Sequence, residues 1–410
     1  MRGVLSGGRH PGLLQSSSRC LVTKAIRKPD ESGRKPWPYQ EIGYTWYHKL
    51  YEDTMSRINE NSKFIIIEGN IATGKSTLAK EIAKEFDFYH IPEATMDDIL
   101  INSYGLDRRD LYDQLPERFR YFDVRMFYEN PKHVNVAHFQ WFMFYLKCEN
   151  YWNALAHILN TGQGVVMERS PMSDCVFVDA MLRTGCISSE FADWFRRLTD
   201  HVSPFMDQLL PHLVIYLDCS PEKCLENVQK RGIDYEVNST VMTLDYLSQI
   251  QKTYKNVMKK FDDCSAVLIY DWSEFGDPEV VCEDIENLDM GDEFEWHRGD
   301  RFETWHQFQQ HPEYWNKLRH DATSKEYMKF FAFPTWSCAE MLYHPDDRIK
   351  AELVLAKNYG DYTVGWNPDR DGISNIMFSV NPFSRTRKRW YKHYYKDDWS
   401  WHLNHDFGVM

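Results

Sequence analysis

From residue 63 to about residue 288, short apolar runs alternate with stretches of helical period, the pattern of a parallel sheet wrapped by helices. Five runs read as strands: 63–68, 88–92, 164–168, 212–218 and 266–271. Between them, Leu78, Ile82 and Phe86 recur at i, i+4 and i+8. Leu244, Leu247, Ile250, Tyr254, Val257 and Phe261 mark one face of a longer helix. Ser220 followed by Pro221 predicts a helix start, a hydroxyl cap before a residue whose missing N–H costs nothing at the first helical position. The expected fold is α/β, a five-stranded parallel sheet with helices on both faces.

The pattern fails at both ends. Residues 29–62 carry Pro36, Trp37, Pro38 and Tyr39 and read as an N-terminal arm, extended and in need of a surface to lie on. Residues 289–410 hold eight of the fourteen Trp and eight of the sixteen His, with few periodic runs. They read as an irregular, aromatic-rich C-terminal extension made for subunit contacts, because each Trp or Tyr supplies a large contact area at low entropy cost. Residues 1–28 include Arg2, Arg9, Arg19, Lys24, Arg27 and Lys28, three consecutive serines and no acid. That is the composition of a mitochondrial transit peptide, with a disordered basic tail as the other reading.

With 48 basic against 61 acidic residues, the chain carries a formal charge of −13, which repels a phosphate backbone, so no polynucleotide partner is expected. The basic and aromatic stretch Arg385, Arg387, Lys388, Arg389, Trp390, Tyr391, Lys392, Tyr394, Tyr395 and Lys396 resembles a single-strand-binding surface. In so acidic a chain it fits a protein interface or an anionic-lipid contact better. The apolar runs fall far short of the roughly 18 residues a spanning helix needs, so any membrane association is peripheral. Nine cysteines without a C-x-x-C pair fit reduced thiols in an intracellular or organelle compartment. The histidines, His402 and His405 included, have no metal-site spacing and read as structural.

The strongest local signal is Gly69-Asn70-Ile71-Ala72-Thr73-Gly74-Lys75-Ser76, followed by Thr77. It is a complete G-x-x-x-x-G-K-S between a strand and a helix. Glycines let backbone N–H groups wrap an anion, and the helix N-terminus adds partial positive charge. Lys75 can reach the β- and γ-phosphates, and Ser76 can hold Mg²⁺.

In motif order and spacing, residues 63–288 resemble the deoxyribonucleoside kinase family, a P-loop kinase fold. The resemblance implies that Glu93, in His90-Ile91-Pro92-Glu93, is the base on the nucleoside 5′-hydroxyl, which must lose its proton as it attacks phosphorus. It implies that Gln140 and Asp174 face the nucleobase, with Lys147 at a position where an arginine is usual. From Glu168-Arg169-Ser170 it implies that Glu168 assists Mg²⁺ and Arg169 binds near the 5′-oxygen. The alternative for Glu168 and Arg169 is a structural ion pair.

The departures carry as much information. Asp98 stands where the family has a base-pocket tryptophan. The lid pattern R-x-x-x-R-x-R-x-E-E is met by Asn227, Arg231, Ile233, Tyr235 and Glu236, so Arg231 alone survives to bind nucleotide. Removing one preorganised donor costs about 2.7–4 kcal/mol, roughly 10²–10³ in rate. The catalytic set therefore reads as vestigial.

Residues 101–105 (INSYG), 114–116 (QLP), 121–131 (YFDVRMFYENP), 161–180 (TGQGVVMERSPMSDCVFVDA), 211–218 (PHLVIYLD) and 268–272 (LIYDW) are similar to one branch of that family. Its members serve as accessory subunits of mitochondrial NADH:ubiquinone oxidoreductase (complex I). This resemblance implies a structural role outside the electron path, on the matrix side of the inner membrane, with other complex I subunits as partners. It also implies a purine nucleotide with Mg²⁺ as the ligand. Flavin (FAD) is associated with the branch, but no feature of the sequence supports it. The competing expectation is an active mitochondrial deoxyribonucleoside kinase.

Overall fold

The computed structural model describes residues 21–25, 27, 35–45, 47–101, 105–290, 302, 304–305, 311–325, 327 and 331–359, and the structural statements below concern these. The stretch 385–396 and the His402 and His405 pair lie outside the described residues.

The five expected strands are present: β1 (Phe64–Gly69), β2 (Tyr89–Ile91), β3 (Val165–Glu168), β4 (Leu213–Asp218) and β5 (Ala266–Asp271). All pairings are parallel, in the order β2-β3-β1-β4-β5. Successive side chains of a strand point to opposite faces, and β1 divides accordingly. Phe64 and Ile66 join one apolar core, whereas Ile65 and Ile67 join another on the far side. Helices α1 (Lys75–Phe86) and α7 (Pro278–Glu286) cover the second face. The first is covered by α2 (Val136–Thr161), α3 (Cys175–Arg183), α4 (Ser189–Met206), α5 (Pro221–Arg231) and α6 (Leu244–Phe261).

Local chemistry sets the helix ends. Ser220 Oγ accepts from Lys223 N, the cap that the Ser-Pro pair predicts. α2 stops at Gly162, whose φ of +76° and close approach to the Arg57 carbonyl exclude a side chain. Of the apolar face expected for α6, Leu247, Ile250, Tyr254, Val257 and Phe261 are buried. Leu244 is 44% exposed, because it opens the first turn beside the Thr243 cap before the helix reaches the core.

The flanking segments pack on this domain. In the tail, α8 (Pro312–Ser324) and α9 (Pro345–Tyr359) are helices that sequence periodicity did not single out. Arg319 on α8 is fully buried. Its Nε donates to Asn160 Oδ1 at 2.7 Å, and its guanidinium lies 3.9 Å from the Tyr44 ring centroid. Tyr44 in turn donates to Asn316 at 3.0 Å, so the arm and α8 close together over the end of α2.

Candidate functional site

In the order β2-β3-β1-β4-β5, the chain leaves β1 in one direction and β3 in the other, which opens a crevice beyond their carboxyl ends. The phosphate loop follows β1, Glu168-Arg169-Ser170 closes and follows β3, and Glu93 follows β2. Parallel strand direction thus brings together groups that lie up to 100 residues apart.

The loop has a defined shape. Gly74 has φ +85° and caps α1 with the Phe275 ring 3.2 Å from where a Cβ would stand, while Ala72 is held at φ +58°. Asn70 Nδ2 donates to Leu247 O at 3.0 Å, and Asn227 Nδ2 donates to Ala72 O at 3.1 Å. Lys75 Nζ is folded back on the loop, donating to Asn70 O at 2.6 Å. Burial, then the charge of Arg169, push the Lys75 ammonium down to about 7 against the pull of Glu93, Glu68 and Glu168. An incoming phosphate would favour the charged form. Ser76 and Thr77 are exposed at the start of α1.

Glu93 is paired to Arg169, Nε to Oε1 at 2.8 Å. Its side chain is 38% exposed, that of Arg169 only 4%. Burial works to raise the Glu93 carboxyl, but Arg169, Lys75 and Lys147 outweigh it and hold it below its ordinary range. Arg169 occupies the left-handed region at φ +60°, a conformation that costs a non-glycine residue about 1–3 kcal/mol unless its surroundings enforce it. They do so through Glu68, which is fully buried. It accepts from Ser170 N at 2.9 Å, from Ser170 Oγ and Ser173 Oγ at 2.7 Å each, and from Tyr254 OH at 3.1 Å. Tyr254 also accepts from Arg169 Nη1 at 2.9 Å. The structural alternative pairing Glu168 with Arg169 is therefore not what forms. Glu168 instead bonds Ser76 Oγ and lies 2.7 Å from His90 Nε2.

Gln140, Lys147 and Asp174 form a second cluster. Gln140 Nε2 donates to Asp174 Oδ2 at 2.6 Å, and the Lys147 ammonium binds the other carboxylate oxygen. Burial pushes the Asp174 carboxyl up despite Lys147 and Arg169. The Phe177 ring lies beneath both cations, 4.6 Å from Lys147 Nζ and 4.8 Å from the Arg169 guanidinium carbon, and so joins the two clusters.

Arg231 stands apart. It ends α5 and pairs with buried Glu236, while Tyr235 stacks on Tyr128 with centroids 6.2 Å apart. Sequence reasoning did not single out Glu68, His90 or Tyr254 for the site. A signal existed only for Glu68, an acid at the end of an otherwise apolar strand.

The fold and crevice are those of a P-loop kinase. The deoxynucleoside kinase family model matches residues 65–308, more than half of the chain, and the chain belongs to that family. It is 35% identical over 242 residues to NADH dehydrogenase (ubiquinone) 1 alpha subcomplex subunit 10, mitochondrial, of Mus musculus, a match covering 58% of this chain and 65% of the relative. The Bos taurus protein of the same name matches at 35% identity over 58% of this chain and 68% of its own length. A deoxyguanosine kinase of Dictyostelium discoideum is 28% identical, over 57% of this chain and 73% of the relative. The chain thus spans about two thirds of the length of the first two.

Proposed function

We propose that the protein is an accessory, mainly structural subunit of mitochondrial complex I, outside the electron path, that keeps a nucleotide in a vestigial kinase site. One observation carries this reading: a complete phosphate loop faces a lid that has lost two of its three arginines. Asn227 and Ile233, which stand at arginine positions, cannot neutralise a transferring phosphoryl group, and Arg231 is tied to Glu236. The similarity to the mouse and bovine proteins, named as mitochondrial NADH dehydrogenase subunits, supports the assignment of partners and of the mitochondrion, and we propose the matrix side of the inner membrane as its place. No helix among the described residues is long and apolar enough to cross a membrane.

The ligand we assign is a purine nucleotide with its divalent cation rather than a flavin. An amide and a carboxylate beside an ammonium offer hydrogen-bonding edges suited to a nucleobase. Loop N–H groups and Lys75 would hold the phosphates, and Gln140 with Asp174 would orient the base. Ser76 Oγ donates to Glu168 at the mouth of the loop, and a hydroxyl beside a carboxylate is an all-oxygen pair that would suit Mg²⁺. When bound, that ion neutralises phosphate charge. Glu93 is placed to accept a proton, but Arg169 holds it ionised at low basicity.

Native electrophoresis of solubilised mitochondria tests the assignment. The chain is expected to migrate with the respiratory complex, and migration only as a small free protein would end this reading. A second reading, an active kinase, is favoured by the gathering of Lys75, Glu93, Glu168 and Arg169 in one crevice. It requires phosphorylation of a deoxynucleoside that is lost in Lys75→Ala.

We also place the end of the mitochondrial leader before Leu21. Leu21 is fully buried with Ile65 and Ile67, Lys24 N donates to Glu85 O at 2.8 Å, and Lys24 pairs with Asp87 at 2.9 Å. A cut after residue 28 would strip these contacts from the domain. Sequencing of the mature chain should find its first residue at or before Leu21; a start at position 29 would contradict this.

A further inference from the structure

We infer that the N-terminal arm and the edge of the sheet enclose a second small-molecule site, separate from the phosphate loop, that takes an aliphatic polyamine. The inference does not depend on the nucleotide reading above.

A cavity of about 660 Å³ lies between the arm, β2, α2 and the end of α8. That volume falls in the usual range of sites for small organic ligands, roughly 300–1,000 Å³. Of the crevice residues described above, Glu93 alone also lines it. Its walls are rings held in place by their own contacts. On the arm, Trp37 and Tyr47 pack around His48 with centroids 5.0 and 4.4 Å away, and Tyr51 meets the same ring edge-on at 5.8 Å. Trp37 Nε1 donates to Gly43 O at 2.8 Å and Thr45 N donates to His48 Nδ1 at 2.9 Å, which fixes the turn of the arm. On the sheet side, Tyr89 stacks on His157 of α2 at 4.4 Å.

Charge decides what such a cavity can hold. Glu41, Glu93, Asp98 and Glu149 line it, against Lys325 as the one lysine or arginine among its described residues. Lys325 is itself bound to Glu149, and Glu93 to Arg169, whereas Glu41 and Asp98 lie exposed on different segments. This lining repels an anion. A neutral apolar ligand would strip water from the carboxylates and give nothing back. An organic cation gains twice, from the carboxylates and from the ring faces, which attract ammonium groups. The acids come from the arm, from the segment after β2 and from α2, so the negative charge is spread around the cavity rather than gathered at one point. A polyamine matches that layout, because methylene runs that can lie along the rings separate its ammonium groups.

The test is calorimetry of the purified full chain with spermidine, without nucleotide, alongside hydrogen exchange. One equivalent should bind, and amide exchange should slow across residues 37–51. Glu41→Gln combined with Asp98→Asn, two isosteric changes at exposed positions, should weaken binding by about tenfold while the melting temperature stays that of the wild type. Glu279→Gln removes an exposed carboxylate of α7, on the other face of the sheet, and should leave the affinity within about twofold of the wild type. An uncharged diol of the same chain length should not bind. Failure of spermidine to bind would overturn the inference. So would equal losses in Glu279→Gln and the double variant, or protection that bypasses the arm, since spermidine would then answer only to the chain's net charge. Binding of the diol as tightly as spermidine would also contradict it, by showing an apolar pocket indifferent to its acids.

Discussion

Asp174→Ala is expected to destabilise the domain by about 3–5 kcal/mol, because it leaves the Lys147 ammonium buried without its counter-ion. Asp174 is completely buried and Lys147 nearly so, and Gln140 donates to the same carboxylate. The loss comes from an uncompensated charge, so removing both charges should recover most of it. Lys147→Met combined with Asp174→Leu is therefore expected to lie close to the wild type, since buried ion pairs are often neutral or costly against apolar residues of similar volume. Urea denaturation of the two single variants and the double variant checks this. Additive losses would mean that the two groups do not form a coupled pair.

The second large effect separates binding from folding. Lys75→Met should weaken binding of a nucleoside triphosphate by about 10- to 100-fold, the worth of a charge-assisted hydrogen bond to phosphate. The same substitution is expected to leave the fold as stable or up to about 2 kcal/mol more stable, as is common where an active site holds a group against its own preference. The physical reason is the position of the ammonium, which is buried, next to Arg169 and satisfied mainly by a carbonyl of its own loop. Calorimetry for binding and chemical denaturation for stability read the two quantities independently. Loss of both together would show that Lys75 supports the loop's structure rather than its ligand.

The sheet was legible because its central strands, buried on both faces, leave short apolar runs separated by stretches of helical period. All five strands fall within a residue or two of their expected bounds, and the motif residues arrive at the crevice because parallel strands end on one side. Two kinds of feature escaped. His90 reaches Glu168 from the neighbouring strand, and Tyr254 links Arg169 to Glu68 from a helix 85 residues beyond. Such pairings have no local period, and Tyr254 reads along the chain as one more apolar position on α6. Arg319 escaped for a related reason. A lone arginine in an aromatic tail looks solvated until the arm supplies the Tyr44 ring and α2 supplies Asn160. The lid lies between these cases. Its missing arginines were plain in the sequence, but the tie of Arg231 to Glu236 and of Asn227 to the phosphate loop came only from the fold.

Binding and phosphoryl transfer, measured on one purified sample with a purine nucleoside triphosphate, a divalent cation and a panel of deoxynucleosides, test the central claim most directly. A site that keeps its phosphate loop but has lost two lid arginines should bind the nucleotide in a Lys75-dependent way. Its turnover should fall about 10⁴-fold or more below that of a fully equipped kinase. Turnover at the usual 1–100 per second of kinases, abolished by Lys75→Ala, would contradict the account.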